Sequence, residues 1–275
     1  MRLHHFAVRT GTVALSVGLL LAPVTLSAQL VEFPGRHLYE RFGVEAIDLF
    51  DLRGQFSDST LIDVRPAAEF DVVRMRDAHH VELHDPQFTE RVRELEASEG
   101  GPLVFYGNGR VSDRAYRAVA LAHDAGVSDA LAYDAGIGEW AESYPGLSRL
   151  WGEEFDSDER ISDESFEARL LDSETFARRA QEADTQLLDV GGAMDDDDIA
   201  LFAGQERVLP VNDPPALDDA LLAAAEEADT LLFFDQHGQQ VRWLQYRLRD
   251  LGIEDERYYF LEGGMRAFYD EVMGG

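Results

Sequence analysis

An internal repeat constrains the fold of this 275-residue chain more than any other feature of its sequence. Three segments recur in the same order, and these are "TLIDVRPAAEF" (60–70) with "QLLDVGGAMDD" (186–196), "PLVFYGNG" (102–109) with "TLLFFDQHG" (230–238), and "LAYDAGIGEWAE" (131–142) with "YFLEGGMRAFYD" (259–270). The offsets between the copies are 126, 128 and 128 residues. Because accidental similarity would not keep nearly constant offsets over three segments, the repeat predicts two copies of one domain.

Each copy alternates short apolar runs with amphipathic stretches. The runs "TLIDV" and "LVFY" are continuous, which is typical of strands buried on both faces of a parallel sheet. Two stretches carry an apolar stripe at helical spacing, namely Ala115, Val119 and Ala122 within 113–126, and Trp243, Leu244, Leu248 and Leu251 within 241–252. The alternation predicts an α/β protein of two tandem domains, each a parallel sheet with helices on both faces.

The N-terminus has the residue order of a secretory signal peptide. Arg2 and Arg9 accompany an apolar run at Val13–Ala22, and small residues follow near a cleavage point after Ala28. This run of 10 residues is too short for a spanning helix, which needs about 20 residues. We therefore expect export to the periplasm or the exterior, with no membrane span after cleavage. An uncleaved anchor is the alternative.

Polar and acidic residues separate the two copies. Residues 144–165 read "YPGLSRLWGEEFDSDERISDES" and contain Pro145 and Gly146, which are typical of a connection between domains. The predicted organisation has four parts, which are a signal peptide at 1–28, a first domain at 29–146, a linker at 147–160 and a second domain at 161–275.

The chain is strongly acidic. It has 54 Asp and Glu against 24 basic residues, none of them lysine, for a formal net charge of -30. Such a surface repels phosphate backbones and anionic lipid headgroups, so nucleic acid and membrane-surface partners are not expected. Salt adaptation is one hypothesis for this composition, because carboxylates keep a protein hydrated. A GC-rich genome is another explanation for the absence of lysine.

No cysteine occurs in the sequence. Its absence excludes disulfides, thiolate metal ligands and thiol nucleophiles.

The repeated segments resemble the rhodanese-homology family, which has a sulfurtransferase fold. The first copy contains "LIDVRPAAEF", "DAHHVEL", "FYGNGRVSDRA" and "YDAGIGEW", and the second contains the weaker matches "LLDVGG", "FFDQHGQQVRW" and "LEGGMRAF". The resemblance extends over residues 45–272. Tandem members of this family form a well-populated class of exported sulfurtransferases, which agrees with the predicted signal peptide.

The chain departs from the family at the catalytic position. The resemblance implies a cysteine at the start of the loop after "LVFY", where its thiolate holds a transferred sulfane sulfur as a persulfide. The matching residues here are Gly107 and, in the second copy, Asp235. Glycine has no nucleophile, and aspartate cannot form a persulfide. Composition therefore excludes cysteine-based sulfur transfer and phosphatase chemistry.

The first loop retains the features of an anion cradle. A strand, a glycine-rich loop and a helix N-terminus present backbone N–H groups that suit an anion. The candidate residues are Gly107, Asn108, Gly109, Arg110, Val111 and Ser112, together with Arg114. Because guanidinium groups favour oxyanions, one hypothesis is a site for sulfate, thiosulfate or a carboxylate. The alternative is a degenerate loop that the fold keeps for its turn.

The second loop consists of Asp235, Gln236, His237, Gly238, Gln239 and Gln240. We expect the Asp235 carboxylate to lie near the N–H groups of this loop and to fill the cradle from within. A covalent nucleophile at Asp235 is the alternative.

Two further clusters suggest metal sites. His79, His80, His84 and Asp85 lie in an extended segment where neighbours point to opposite faces, and their spacing matches no recognised metal signature. The segment "MDDDDIA" (194–200) lacks the glycine and the terminal glutamate of a calcium loop, so we interpret it as a solvated acidic turn. No metal and no other cofactor is predicted.

Four other residues have structural interpretations. We expect Asp63 and Arg65 to form an ion pair at a strand end that shapes the loops. Trp140 and Phe268 are predicted to be core residues that close the two domains.

Three functional hypotheses follow. The first is a non-catalytic binding or scaffolding module of the cell envelope, whose partner is a small oxyanion or an envelope protein. The second is an enzyme that uses a non-cysteine mechanism, with Asp235 or with a metal at His80 and His84. In the third, the working surface is the cleft between the domains.

Overall fold

The structure is a computed structural model that describes residues 41–109, 112–156, 158, 160–191, 202 and 204–273. The predicted signal peptide and the acidic turn at 194–200 lie outside these residues. All described residues belong to one compact unit, residues 33–275. Within the described ranges, no helix combines the length and apolarity needed to cross a membrane.

Thirteen strands occur in the described residues. In chain order they are β1 (Glu45–Ala46), β2 (Thr60–Asp63), β3 (Val73–Met75), β4 (His79–His80), β5 (Leu103–Tyr106), β6 (Ala130–Tyr133), β7 (Ser148–Leu150), β8 (Glu153–Glu154), β9 (Leu170–Leu171), β10 (Thr185–Asp189), β11 (Glu206–Val208), β12 (Thr230–Phe234) and β13 (Tyr258–Leu261). Two five-stranded sheets have the orders β1-β6-β5-β2-β4 and β9-β13-β12-β10-β11. Every pair in both sheets is parallel.

Helices connect and flank these strands. They are α1 (Leu49–Gly54), α2 (Ala67–Val72), α3 (Phe88–Ser98), α4 (Arg114–Asp124), α5 (Gly136–Ser143), α6 (Asp163–Glu167), α7 (Ser173–Arg179), α8 (Pro214–Glu227), α9 (Gln240–Asp250) and α10 (Gly264–Met273). Short 3-10 helices cover Pro145–Leu147 and Asp255–Arg257. The element order and the parallel sheets confirm the predicted α/β class.

Both sheets are covered on two faces, because alternate residues of each central strand enter different apolar clusters. In the first sheet, Val104 packs into one cluster and Phe105 into the other. In the second sheet, Phe233 and Phe234 are divided in the same way. One cluster contains both Trp140 and Trp243, so an apolar core joins the two sheets.

The predicted core and helix residues occupy the expected positions. Trp140 is fully buried and Phe268 is 6% exposed. Ala115, Val119 and Ala122 line the buried face of α4. On α9 and its C-terminal cap, the stripe residues Trp243, Leu244 and Leu248 are buried, and Leu251 is half-buried.

The segment interpreted as a linker is partly regular structure. Its strand β7 pairs antiparallel with β3 and with β8, which forms a three-stranded sheet attached to the first half of the chain. The indole N–H of Trp151 then donates to the carbonyl of Val211 at 3.2 Å. The connection therefore contacts both halves of the chain.

Candidate functional site

The two candidate loops occupy equivalent places at the carboxyl ends of central strands. The first loop, 107–113, joins β5 to α4, and the second, 235–239, joins β12 to α9. The N–H of Ile137 donates to the Gly107 carbonyl at 3.0 Å, and the N–H of Met265 donates to the Asp235 carbonyl at 2.9 Å. Each loop is therefore attached by the same hydrogen bond to the helix that follows the next strand.

Glycines make this attachment possible in both halves. Gly136 has a φ of 73°, and a Cβ on it would lie 2.3 Å from the backbone nitrogen of Gly109. Gly264 has a φ of 69°, and its Cβ would lie 2.5 Å from the nitrogen of Gly238. A larger residue at either position would be strained and would displace the loop.

The Asp235 carboxylate occupies the second loop from within. It is 3% exposed, and both of its oxygens accept hydrogen bonds from backbone N–H groups. The donors to Oδ1 are His237 (2.7 Å), Gly238 and Gln239 (3.3 Å), and those to Oδ2 are Gln240 (2.6 Å) and Val241 (3.1 Å). The second loop is thus an anion cradle whose anion is its own side chain.

In the first loop, Gly107 supplies no such side chain, although its surroundings leave room for a Cβ. A Cβ on Gly107 would lie 3.5 Å from the Cβ of Arg114 and 3.8 Å from the Ser112 hydroxyl, which are ordinary contacts. The N–H of Ser112 donates to the Gly109 carbonyl at 2.8 Å, and the N–H of Arg114 donates to the Ser112 hydroxyl at 3.3 Å.

Two of the predicted site residues in this loop, Arg110 and Val111, lie outside the described residues. The other candidates of the first loop, including Asn108, are part of the described structure.

Asp63 and Arg65 form the expected ion pair beneath the first loop. The guanidinium of Arg65 donates to the Asp63 carboxylate at 2.6 Å and also to the Val73 carbonyl, and both charged side chains are almost fully buried. Burial by itself would lower the pKa of Arg65, but the Asp63 carboxylate reverses this effect and raises the pKa overall. In the second half, Gly191 takes the arginine position, and its N–H donates to Asp189 at 2.8 Å.

Glu69 is a site residue that the motif did not single out. It projects from α2, and its Oε1 lies 3.8 Å from Arg114 Nη1 while its Oε2 lies 4.0 Å from Arg65 Nη1. Burial raises the pKa of the Glu69 carboxyl, although Arg65, Arg114 and a hydrogen bond with Asn108 act against that rise. The sequence signal was the acidic residue that follows "DVR".

Both loops line one cleft between the two sheets. This cleft has a volume of about 440 Å³, and it is lined by Asn108 and Arg114 from the first half and by Asp235, His237 and Gln240 from the second, among others. Glu69 and Glu82 lie on the same wall. A second cavity of about 430 Å³ shares Asn108, Gln239 and Gln240 with the first. The structure therefore brings most of the predicted site residues together.

Arg242 of the second half contacts Glu142 of the first half at the wall of the second cavity. Its guanidinium lies 2.9 Å from Glu142 and 2.6 Å from Asp163, and it covers the Phe166 ring at 5.0 Å. The hydrogen bond from Arg242 lowers the pKa of Asp163, whereas burial raises the pKa of Glu142.

The predicted histidine cluster has other contacts. His80 Nε2 donates to the Arg65 carbonyl at 2.8 Å, and the ring stacks on Phe70 with centroids 4.7 Å apart. His79 lies 4.0 Å from Glu99. Within the described ranges, no three His, Asp or Glu side chains come together in a way that could hold a metal ion.

Comparison with known proteins identifies the family of one part of the chain. Residues 45–143 match the family model of the rhodanese-like domain. This part of the chain is therefore a rhodanese-like domain, and the sequence contains no cysteine. No curated protein matches the chain.

Several solved structures are similar at low identity. A thiosulfate sulfurtransferase from Pseudomonas aeruginosa is 16% identical, with a TM-score of 0.34 over 86% of this chain and 41% of that one. This chain thus covers less than half of that sulfurtransferase. A rhodanese-like domain from Anabaena is 18% identical (TM-score 0.33), covering 43% of this chain and 86% of its own. The human single-domain sulfurtransferase is 23% identical (TM-score 0.31), covering 36% of this chain and 97% of its own.

Proposed function

We propose that the protein is a binding module of the cell envelope that performs no thiol-based sulfur transfer and takes a small oxyanion at its first loop. The observation that carries the proposal is the contrast between Asp235 and Gly107. Asp235 supplies a carboxylate to the N–H groups of its own loop, whereas Gly107 supplies no side chain at the equivalent position. The second loop holds its own carboxylate, and at the first loop an oxyanion from solution would take the corresponding place.

The surroundings of the first loop support this proposal. Arg114 lies on the wall of the cleft, where its guanidinium can neutralise part of a ligand's charge. Asn108 lines the same wall and offers an amide donor. The cleft gives a small ligand access to the loop. The envelope location rests on the N-terminal sequence.

An enzyme that uses Asp235 or a metal is less well supported. Both oxygens of Asp235 accept backbone hydrogen bonds, and these bonds disfavour attack by the carboxylate as a nucleophile. His80 already donates its Nε2 hydrogen to the Arg65 carbonyl, and its ring stacks on Phe70. Neither group is arranged for the chemistry that this alternative requires.

Calorimetric titration of the full chain with phosphate, sulfate, thiosulfate and sulfite tests the proposal at constant ionic strength. A Gly107→Asp variant places a carboxylate where Asp235 stands in the second loop. Gly54→Asp is the matched control, because a side chain there would contact nothing within 4 Å. We expect saturable binding by the wild type and by Gly54→Asp, and loss of binding in Gly107→Asp.

Retained binding in Gly107→Asp would place the anion elsewhere and contradict the proposal. Absence of binding by the wild type would also contradict it, and would leave an envelope protein as the partner to seek.

A further inference from the structure

Trp151 has a backbone conformation that a tryptophan rarely adopts. Leu150 pairs with Glu153 across the hairpin of β7 and β8, which leaves Trp151 and Gly152 as its two-residue turn. Their φ angles are 47° and 85°. Positive φ at both positions is typical of a type I′ turn, in which asparagine and glycine are preferred. Because a bulky residue is strained in this conformation, the turn alone does not explain a tryptophan here.

The two N–H groups of Trp151 bind to both walls of the cleft between the two sheets. The backbone N–H donates to the carbonyl of Val72, the last residue of α2, at 2.7 Å. The other end of this helix, at residues 66–69, lines the wall that the first half provides. The indole N–H donates to the Val211 carbonyl at 3.2 Å, and Val211 and Asn212 line the wall that the second half provides.

The second half also contacts the indole ring itself. The Arg247 guanidinium lies 5.8 Å from the ring centroid, within the range of a cation–π contact. Its Nε and Nη2 donate to the Asp218 carboxylate at 2.5 Å and 2.6 Å, so α8 holds the guanidinium in place. Because α8 follows Val211 closely in the chain, the hydrogen bond and the ring contact both connect Trp151 to the same part of the second half.

We infer that Trp151 bridges the two walls of the cleft and limits how far they separate. The strained backbone is retained because an asparagine or glycine at this turn has no indole N–H to donate to Val211. Trp151 is thus a positioning residue that sets the width of the cleft. The inference goes beyond the proposed function, because it does not depend on which ligand enters the cleft.

Distance measurements across the cleft test the inference on the full chain. The sequence contains no cysteine, so two introduced cysteines can carry spin labels at chosen places. Ala67→Cys on α2 and Asp219→Cys on α8 place one label in each half, and both positions are exposed. Pulsed electron paramagnetic resonance then gives the distribution of distances between the two labels.

Two tryptophan variants are compared in this labelled background. Trp151→Phe keeps an aromatic ring and removes the indole N–H. Trp140→Phe is the matched control, because the Trp140 indole N–H donates at 3.3 Å to the carbonyl of Leu147, which does not line the cleft. We expect a broader distribution that is shifted to longer distances in Trp151→Phe, and the wild-type distribution in Trp140→Phe.

A second substitution, Trp151→Asn, tests the inference by the sign of its effect on stability. Asparagine before Gly152 is a preferred pair for a type I′ turn, so it should raise the urea midpoint of unfolding if Trp151 serves only the turn. We expect the midpoint to fall, because the contacts of the indole with the second half are lost.

Circular dichroism shows whether each variant is folded, and the midpoint of Trp151→Asn decides if Trp151→Phe does not fold. An unchanged distance distribution in Trp151→Phe, an equal broadening in Trp140→Phe, or a higher urea midpoint in Trp151→Asn would each overturn the inference.

Discussion

Gly107 and Asp235 each follow a central parallel strand at its carboxyl end, but only Asp235 has a side chain that accepts hydrogen bonds from its own loop. The carbonyl of each accepts a hydrogen bond from the helix after the next strand, at 3.0 Å and 2.9 Å. The two loops therefore differ in whether the residue after the strand supplies an anion. In the second half the Asp235 carboxylate accepts the N–H groups of its loop, and in the first half Gly107 supplies no side chain.

Replacement of Asp235 by glycine should destabilise the protein. The substitution removes the acceptor of five backbone N–H groups in a buried loop. We expect a decrease in the free energy of unfolding of about 2–5 kcal/mol, measured by urea unfolding. Sulfate at constant ionic strength should restore part of the lost free energy of unfolding, because the anion binds the folded loop in place of the carboxylate.

The matched control for this rescue is Asp172→Gly. Asp172 caps α7 by accepting from the Thr175 N–H at 2.7 Å, and glycine at such a cap has a small effect. Sulfate should change the free energy of unfolding of this variant by the same amount as that of the wild type. An Asp235→Gly protein that gains no more stability from sulfate than the control would contradict the cradle interpretation.

Replacement of Gly107 by cysteine should restore the first step of sulfur transfer. The Cβ fits without close contacts, and Arg114 lies beside it. The thiolate would attack the sulfane sulfur of thiosulfate, form a persulfide and release sulfite. Mass spectrometry should detect the added sulfur atom in Gly107→Cys and not in Gly54→Cys, which places a thiol at an exposed site away from the loop. Equal labelling of the two variants would argue against a preserved cradle.

The fold was predictable because the strand pattern is a local signal and the repeat shows the same pattern twice in the chain. The ion pair of Asp63 with Arg65 and the buried position of Trp140 also followed from short motifs. Glu69 and the Arg242–Glu142 contact were not foreseen. The contacts of Glu69 with Arg114 and of Arg242 with Glu142 depend on how two helices far apart in the chain approach each other, and no residue spacing encodes that approach.

The strand pairing within the connecting segment was not foreseen for a similar reason. The polar and acidic composition indicated a connection between domains, and in the structure its strand β7 pairs with β3. Strand pairing satisfies backbone groups whatever the side chains are, so composition gave little indication of it.

Glu69→Gln should stabilise the protein at neutral pH. Burial raises the pKa of Glu69 above its unfolded-state value. Its contribution to stability is therefore fully present below the unfolded-state pKa, about 4.3, and is lost as pH rises through the folded-state pKa. Glutamine cannot ionise and avoids that loss. Urea unfolding at about pH 4 and pH 8 should show a gain for Glu69→Gln that appears only at the higher pH.

Glu82→Gln controls for the change in net charge in this experiment. A gain of the same size at both pH values, or an equal gain in Glu82→Gln, would contradict the role assigned to the buried Glu69 carboxyl.

Arg242→Met should loosen the contact between the two halves. It removes the ion pairs with Glu142 and Asp163 while keeping an apolar stem over Phe166. We expect a loss of about 1–2 kcal/mol in the free energy of unfolding, measured by urea unfolding. Arg249→Met is the control, because the Arg249 guanidinium is about twice as exposed as that of Arg242 and its pair with Asp255 should contribute about 0–1 kcal/mol. Equal losses of unfolding free energy in the two variants would contradict the stabilising role assigned to Arg242 between the two halves.

A crystal structure grown in phosphate tests the central claim most directly. The account predicts one phosphate in the cleft against the first loop, near Arg114 and Glu69, with the Asp235 carboxylate still held by the N–H groups of the second loop. Phosphate bound only elsewhere, or a first loop left without an anion at saturating phosphate, would contradict it.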